Sequence, residues 1–185
     1  MIIMFDIYTL VEAIWIILPA YAANGLTPLI GLKKKLHTID GGRNFIDGRR
    51  ILGDGKTWEG FFLGTAVAVV IAIIEMLAYP YLPWNISPVR LDIIPMSPFT
   101  GLLIGIGAML GDVGGSFIKR RLGLKRGCFA PLLDQDDFVL GSFLLLSLYM
   151  PMKVKWIILL LIITPVFHIT ANIVGYKLGI KKQPW

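Results

Sequence analysis

Residues 58–82 read WEGFFLGTAVAVVIAIIEMLAYPYL, an almost unbroken apolar stretch whose only charged side chains are those of Glu59 and Glu75. A helix needs about 20 mostly apolar residues to cross the hydrocarbon core of a bilayer, so this stretch predicts a membrane-spanning helix. The composition of the whole chain agrees. Of its 185 residues, 56% are hydrophobic and only 16% are charged, whereas soluble chains carry about 25% charged residues.

Four further segments have a similar composition. Together with the first they predict five spans, at residues 7–26, 58–82, 98–117, 138–150 and 154–174. The fourth is short, and we expect it to extend back toward Asp137 or to lie tilted inside the bundle. The sequence thus predicts an all-α integral membrane protein with five transmembrane helices in a single membrane domain, residues 1–185.

Basic residues are unevenly distributed between the predicted loops. Fifteen of the 18 Lys and Arg residues fall in loop 27–57, in loop 118–137 or after the fifth span. Such residues collect on the cytoplasmic side of a membrane protein. We therefore predict an N-terminus outside the cell membrane and a C-terminus in the cytoplasm. The same rule explains the net charge of +6 without a nucleic-acid partner.

Polar groups concentrate at the predicted cytoplasmic ends of the spans. Ionisable groups inside a span are costly, so each is a functional candidate. Asp112 lies inside the end of the third span, and helical spacing puts Ser116 and Lys119 on its face. Asn24 occupies a similar depth in the first span. The third span also carries two runs of glycines at four-residue spacing, which favours close helix packing. The first run is Gly101 and Gly105, and the second is Gly107, Gly111 and Gly115.

The first predicted cytoplasmic loop ends in GDGKTWEG, residues 53–60, and runs directly into a span. Glycines let a backbone approach phosphate closely, and a helix N-terminus offers free N–H groups. The P-loop motif is not met, because Arg50 occupies the position of its first glycine and no strand precedes it. A phosphate-binding helix start and an ordinary helix start both remain open for these residues.

The second predicted cytoplasmic loop carries a basic cluster followed by Asp134, Asp136 and Asp137. Magnesium prefers a few carboxylates together with substrate phosphate oxygens. At i and i+3 spacing, Asp134 and Asp137 face one way if a helix begins there, and Asp112 would complete a site of two or three carboxylates. Alternatively, the acids cap the fourth span and pair with neighbouring basic residues. The single cysteine, Cys128, excludes an internal disulfide and a multi-cysteine zinc site.

Three segments, in order and spacing, resemble the phosphatidate cytidylyltransferase superfamily: residues 55–60 (GKTWEG), 111–120 (GDVGGSFIKR) and 133–137 (LDQDD). The short five-span chain is similar, over nearly its whole length, to the archaeal branch of CDP-archaeol synthases. It departs from the bacterial pattern at Lys125-Arg126, where that pattern has Lys-Asp, and at Gln135, where it has Arg.

The resemblance implies that CTP and an isoprenoid ether lipid phosphate, 2,3-bis-O-(geranylgeranyl)glycerol 1-phosphate, give a CDP-lipid and pyrophosphate. On this basis we assign Mg²⁺ to Asp112, Asp134 and Asp137, with Lys119 as a further catalytic group. The residues assigned to CTP, to the lipid phosphate or to the shape of the pocket are Asn24, Gly55, Lys56, Thr57, Glu59, Ser116 and Arg120.

Two other functions compete with this interpretation. A CTP-dependent polyprenol kinase would transfer the γ-phosphate to an alcohol and release CDP. A small membrane transporter would need polar residues along a whole path through the bilayer. Only Glu12 and Glu75 lie toward the outer ends of their spans, so the sequence favours an enzyme.

Overall fold

The computed structural model describes residues 5–27, 36–82, 91–125, 128, 130, 133–177 and 179. Parts of the predicted loops 27–57 and 118–137 therefore lie outside the described residues. The described chain forms five α-helices: α1 (Ile7–Leu26), α2 (Trp58–Ala78), α3 (Pro98–Arg121), α4 (Leu133–Ser147) and α5 (Val154–Lys177). Within it, α1, α2 with its following turn, α3 and α5 are long and apolar enough to cross a membrane. The prediction of an all-α integral membrane protein is confirmed.

The third helix is longer than the predicted span, since it continues past residue 117 to Arg121. Its last turn consists of basic residues, which form helices well and interact favourably with the C-terminal end of the helix dipole. The helix ends at Arg121, two residues before Gly123, which has a φ of 77°. There the Leu124 N–H donates to the Lys119 carbonyl at 3.0 Å, the hydrogen bond of a Schellman motif.

The fourth helix begins at Leu133, five residues before the predicted span, and ends at Ser147 rather than at residue 150. Acidic residues in its first turn suit the positive end of the helix dipole. Its 15 residues measure roughly 22 Å at 1.5 Å per residue, less than the roughly 30 Å of a hydrocarbon core. By length alone it is therefore not one of the four candidate spans.

The second and fifth helices also differ from their predicted ends. The α-helical part of α2 stops at Ala78, and a 3₁₀ turn follows over Tyr79–Tyr81. Pro80 explains this change, because proline has no N–H to continue the helical hydrogen bonds, while Tyr79 before it keeps helical dihedrals, φ −50° and ψ −44°. The fifth helix continues three residues beyond 174, to Lys177.

The glycines of α3 bring it against two neighbouring helices. A Cβ atom at Gly101 or Gly105 would collide with α2, and one at Gly107 or Gly111 would collide with the backbone of α4. Small residues at four-residue spacing allow this approach in a membrane, where close van der Waals packing drives helix association. The predicted packing role of these glycines is confirmed, and it places the end of α3 directly beside the start of α4.

Gly111 offers a direct test of this packing. We expect Gly111→Ala to lower the free energy of unfolding by about 1–3 kcal/mol, the usual cost of overpacking, because its methyl group would meet the Asp137 carbonyl. Gly114→Ala is the matched control, since nothing lies within 4 Å of a Cβ there and alanine favours a helix. Thermal unfolding in detergent measures both variants, and equal unfolding temperatures would contradict the packing argument.

At the opposite end of the bundle, where α1 and α5 begin, one buried carboxylate joins three parts of the chain. The Glu12 carboxylate, on a residue only 5% exposed, accepts hydrogen bonds from the Asp92 N–H at 2.7 Å, the Trp156 Nε1–H at 2.9 Å and the Lys153 Nζ at 3.2 Å. The Trp15 Nε1–H donates to the Ile94 carbonyl at 3.0 Å. These contacts tie the segment before α3 to α1 and α5.

Candidate active site

The loop that precedes α2 is folded around a single carboxylate. The Asp40 side chain is fully buried and accepts hydrogen bonds from the backbone N–H groups of Gly42, Leu52 and Gly53 at 2.9–3.0 Å. It also accepts from the Arg50 guanidinium at 2.9 Å. Burial by itself raises the pKa of Asp40, but the hydrogen bonds from Arg50 and the backbone outweigh it and hold that pKa well below its usual range. The Asp40 carboxylate is therefore negatively charged, and the backbone of this end of the loop folds around it.

From this loop the chain enters α2 through Gly55, Lys56 and Thr57. Thr57 is the N-cap of α2, and its Oγ1 accepts from the Gly60 N–H at 3.2 Å, so its hydroxyl satisfies a free N–H of the helix start. Lys56 reaches across to α3, where its Nζ forms an ion pair with the Asp112 carboxylate. The pair joins two residues that are 56 positions apart in the chain.

A second ion pair joins the end of α3 to the start of α4. The Lys119 Nζ binds one carboxylate oxygen of Asp134, and the other oxygen accepts from the Ala130 N–H at 2.9 Å. Both lysine side chains are mostly shielded, Lys119 with 14% and Lys56 with 21% of the side chain exposed. Ion pairs shielded in this way hold cations and carboxylates at fixed positions in the site.

Asp137 lies near both ion pairs and is buried. Its Oδ1 accepts from the Phe138 N–H at 2.7 Å, whereas its Oδ2 is buried and has no hydrogen-bond partner among the described residues. Gly115 makes room for this oxygen, because any Cβ there would collide with it. The charges of Asp112, Lys119 and Lys56 all act on this carboxylate. A buried carboxylate oxygen without a partner is costly, a feature that Asp137 shares with Asp136 of the same turn.

Two cavities open beside these residues. The first, which we term the basic cavity, measures about 140 Å³ and is lined by Leu52, Gly53, Gly55, Lys56, Ser116, Lys119, Arg120 and Cys128. The second, the inner cavity, measures about 20 Å³ and is lined by Thr27, Ile39, Gly55, Lys56, Thr57, Gly60, Phe61, Met109, Asp112 and Val113. Lys56 lines both cavities. It adds positive charge to the basic cavity, and its ammonium group pairs with Asp112, which lines the inner cavity.

Most of the residues selected from the sequence meet at this place. The two cavities bring together seven of them: Gly55, Lys56, Thr57, Asp112, Ser116, Lys119 and Arg120. Asn24, Glu59, Asp134 and Asp137 line neither cavity. Asn24 is half-buried in the last turn of α1, and the Glu59 carboxylate instead accepts from the His37 N–H at 3.0 Å and pairs with His37 Nδ1 at 2.6 Å.

The carboxylates offer hard oxygen donors of the kind that bind Mg²⁺. Among the described residues, however, no group of three or more His, Cys, Asp or Glu side chains is arranged to hold a metal ion by itself. Asp112 and Asp134 are each engaged by a lysine, and Asp137 has the unpartnered oxygen. Magnesium commonly takes one or two carboxylates and completes its shell with substrate phosphates and water, so Asp137 and Asp112 fit such a role.

Two residues of this region were missed in the sequence. Asp40 organises the loop, and Arg121 attaches it to α3 by donating to Asp47 Oδ1 at 2.9 Å and to the Arg50 carbonyl. In the sequence both look like ordinary loop charges. The one local signal is Asp40-Gly41-Gly42, since both glycines take positive φ angles, 56° and 79°, as in a tight turn that an Asp side chain stabilises.

We expect Asp40→Asn to loosen the loop and to lower the free energy of unfolding by about 1–3 kcal/mol, because it removes charge-assisted hydrogen bonds from a buried position. Because Lys56 follows this loop, the looser loop should displace its side chain, and the protein should then bind an anionic ligand less tightly. Thermal unfolding and ligand titration measure the two effects. Asp54→Asn is the control, because the exposed Asp54 pairs with the same arginine at 2.8 Å but accepts none of the backbone hydrogen bonds that hold Asp40. Equal behaviour of the two variants would refute the role of Asp40.

Three cations beside carboxylates at one end of membrane-spanning helices are the features expected of an intramembrane enzyme that handles anionic substrates. Comparison with known proteins narrows this class. The family model described as CarS-like, CDP-archaeol synthase, matches residues 4–185. The chain therefore belongs to the CarS-like family of CDP-archaeol synthases, which are membrane cytidylyltransferases of lipid biosynthesis.

Individual relatives agree with this assignment over nearly the full chain. The CDP-archaeol synthase of Pyrobaculum arsenaticum is 40% identical over 180 residues, which cover 97% of this chain and 99% of the relative. That of Methanococcus aeolicus is also 40% identical and covers 97% and 98%. A solved structure of an intramembrane enzyme for archaeal membrane lipid biosynthesis has 36% identity and a TM-score of 0.72, covering 88% of this chain and 94% of that one.

Proposed function

We propose that this chain transfers CMP from CTP to an isoprenoid ether lipid phosphate, 2,3-bis-O-(geranylgeranyl)glycerol 1-phosphate, giving the CDP-lipid and pyrophosphate. The observation that carries the proposal is the basic cavity, where Lys56, Lys119 and Arg120 converge at the end of membrane-spanning helices. Both substrates are phosphate anions, and one of them is a lipid. A cationic chamber at the end of a membrane bundle suits this pair of substrates.

The proposed reaction needs little covalent help from the protein. An oxygen of the lipid phosphate, already anionic, attacks the α-phosphorus of CTP. A new P–O bond forms there, the bond from the α-phosphorus to the oxygen bridging to the β-phosphorus breaks, and pyrophosphate leaves with that electron pair. Catalysis then consists of positioning the two anions and stabilising the negative charge that develops. Lys56, Lys119 and Arg120 supply positive charge for both tasks.

We assign a Mg²⁺ ion to this site on the chemistry of its donors. Asp137 contributes a buried oxygen without a hydrogen-bond partner, and Asp112 contributes the carboxylate that Lys56 neutralises. Asp134, held by Lys119, would be a ligand only if that lysine moved to a substrate phosphate. When bound, the ion supplies additional neutralisation of the phosphate charge.

We propose that the chain crosses the membrane five times, with the N-terminus outside and the active site at the cytoplasmic face. The distribution of basic residues supports this orientation. α3 ends beside the basic cavity, whereas α5 begins beside Glu12 at the opposite end of the bundle. The chain therefore passes from one end to the other between these helices, and α4 provides this crossing. The lipid would enter from the inner leaflet, with its isoprenoid chains against apolar helix faces.

The decisive experiment uses CTP labelled separately at the α and γ positions. The purified protein, in detergent with Mg²⁺ and the geranylgeranyl ether lipid phosphate, should transfer the α label to the lipid and release pyrophosphate. Transfer of the γ label to a polyprenol would instead indicate a kinase. Absence of transfer to this lipid phosphate or to phosphatidic acid would refute the proposed activity and favour a transporter.

Removal of divalent cations tests the metal separately. We expect EDTA to stop CMP transfer and added Mg²⁺ to restore it, because the carboxylates of the site require a cation to accept a triphosphate beside them. Thermal unfolding with and without Mg²⁺ provides a readout that does not depend on turnover, since a ligand that binds the folded state stabilises it. An unchanged rate after exhaustive chelation would contradict the assignment.

A further inference from the structure

The loop before α2 contains a short hairpin, residues 43–51, which we term the loop hairpin. The Phe45 N–H donates to the Arg49 carbonyl at 2.8 Å, and the Ile51 N–H donates to the Arg43 carbonyl at 3.1 Å. The turn between them closes where the Gly48 N–H donates to the Phe45 carbonyl at 3.0 Å. The tip of the hairpin therefore has a defined backbone rather than an arbitrary loop conformation.

Its tip carries two apolar side chains, of which Ile46 faces away from the protein and Phe45 is partly packed against α3. Ile46 is 94% exposed and Phe45 is 39% exposed. Leaving one large apolar side chain in water forfeits about 1.5–3 kcal/mol compared with burying it. Exposed apolar side chains beside basic ones are typical of surfaces that contact a partner or a membrane. Here the flanking residues Arg43 and Arg49 are both exposed.

The tip is attached to the last turns of α3. The Phe45 ring packs edge-on against the Phe117 ring with centroids 5.4 Å apart. The Arg121 guanidinium lies 4.7 Å from the centre of the Phe45 ring and 5.0 Å from that of Phe117. Arg121 also donates to Asp47 of the same hairpin at 2.9 Å. The hairpin is thereby held at the depth of Phe117, within a helix that can span a membrane.

An exposed apolar face of α3 leads directly to this attachment point. Leu110, Ile118 and Leu122 are 51%, 47% and 66% exposed, and their spacing of eight and four residues keeps them on one side of the helix. Phe117 lies next to them on that side. Arg and aromatic side chains together mark the boundary between hydrocarbon and water. The hairpin tip therefore lies beside the exposed apolar side of α3, at the boundary between the bilayer and water.

We propose that the loop hairpin inserts Phe45 and Ile46 into the interfacial layer of the membrane in which the protein resides, with Arg43 against lipid phosphates. The Arg49 guanidinium instead donates to the Arg121 carbonyl at 2.6 Å. The proposal rests on the topology given with the proposed function. It has a consequence for the site, because Arg121 and Asp40 connect the hairpin rigidly to the segment that carries Lys56. The inserted tip sets the depth of the basic cavity relative to the phosphates of the lipids.

Fluorescence quenching of the full-length protein in lipid nanodiscs tests the insertion. In a Cys128→Ser background, which removes the single native thiol, an environment-sensitive probe is attached at Ile46→Cys. Leu110→Cys provides the lipid reference and Asp54→Cys the aqueous reference. We expect the probe at position 46 to be quenched by a headgroup nitroxide lipid and protected from aqueous iodide. Iodide quenching as strong as at position 54 would overturn the proposal.

Kinetics test the consequence for the site. We expect Ile46→Asp to raise the KM for the lipid phosphate roughly tenfold, equivalent to about 1.4 kcal/mol, and to leave the KM for CTP unchanged. Ile46→Leu should match the wild type. An unchanged KM for the lipid would show that the tip does not set the depth of the cavity. If the wild-type protein had no cytidylyltransferase activity, the proposed function would be refuted. The insertion of the hairpin would still be tested by quenching, which does not depend on turnover.

Discussion

Replacing Asp112 by Asn should abolish CMP transfer while leaving the helix bundle folded. The substitution keeps the size of the side chain but removes the charge that pairs with Lys56 and one carboxylate of the proposed metal site. Removal of an outer-shell partner of a metal typically costs 10- to 100-fold in affinity or activity. For a carboxylate that would contact the ion directly, we expect a loss of more than about 100-fold.

Initial rates with α-labelled CTP measure this effect, and thermal unfolding shows whether the fold is kept. The Asp112 side chain is 26% exposed, so its neutral replacement can remain hydrated and should change stability little. Asp54→Asn provides the control, because the same chemical change at an exposed loop position leaves both ion pairs of the site intact. A wild-type rate in the Asp112 variant would remove this residue from the mechanism.

Replacing Asp137 by Asn should have opposite effects on activity and on stability. Asp137 is buried, and its Oδ2 has no hydrogen-bond partner among the described residues. A neutral amide in its place no longer requires a counter-charge, so we expect the ligand-free protein to gain about 1 kcal/mol of stability. Turnover should fall by more than about 100-fold, for the reason given for Asp112. Functional sites commonly retain such destabilising groups.

Asp136→Asn is the matched control for this prediction. Asp136 is also buried, and its Oδ1 likewise has no hydrogen-bond partner in the described part of the chain. Its charge acts on Tyr21 of α1 and not on the charged groups of the site, so we place it outside the site. Its variant should therefore gain stability in the same way and keep its turnover. The two variants are compared by thermal unfolding in the absence of substrate and by initial rates. An equal loss of turnover in both would mean that any buried charge at the start of α4 is required, and the specific role of Asp137 would be refuted.

The helices could be predicted from sequence because hydropathy is a local property. Residues 58–82 are apolar over enough length to indicate a span without any knowledge of their neighbours. The ends of the helices were less accurate, as at Leu133 and Arg121, because hydropathy falls where charged residues still favour a helix. The glycine spacing of α3 correctly predicted close packing, although not that Gly101 and Gly105 face α2 while Gly107 and Gly111 face α4.

The sequence by itself determined that this is a helical membrane protein whose basic and acidic residues gather at one end of its spans. Only the tertiary structure decided which charges meet. Lys56 pairs with Asp112 and Lys119 with Asp134, and neither the periodicity of a helix nor the composition of a loop specifies a partner in another segment. The same holds for Asp40, which resembles any loop acid until the chain folds around it. Hydropathy acts residue by residue, whereas an ion pair forms only where packing brings distant segments within reach of each other.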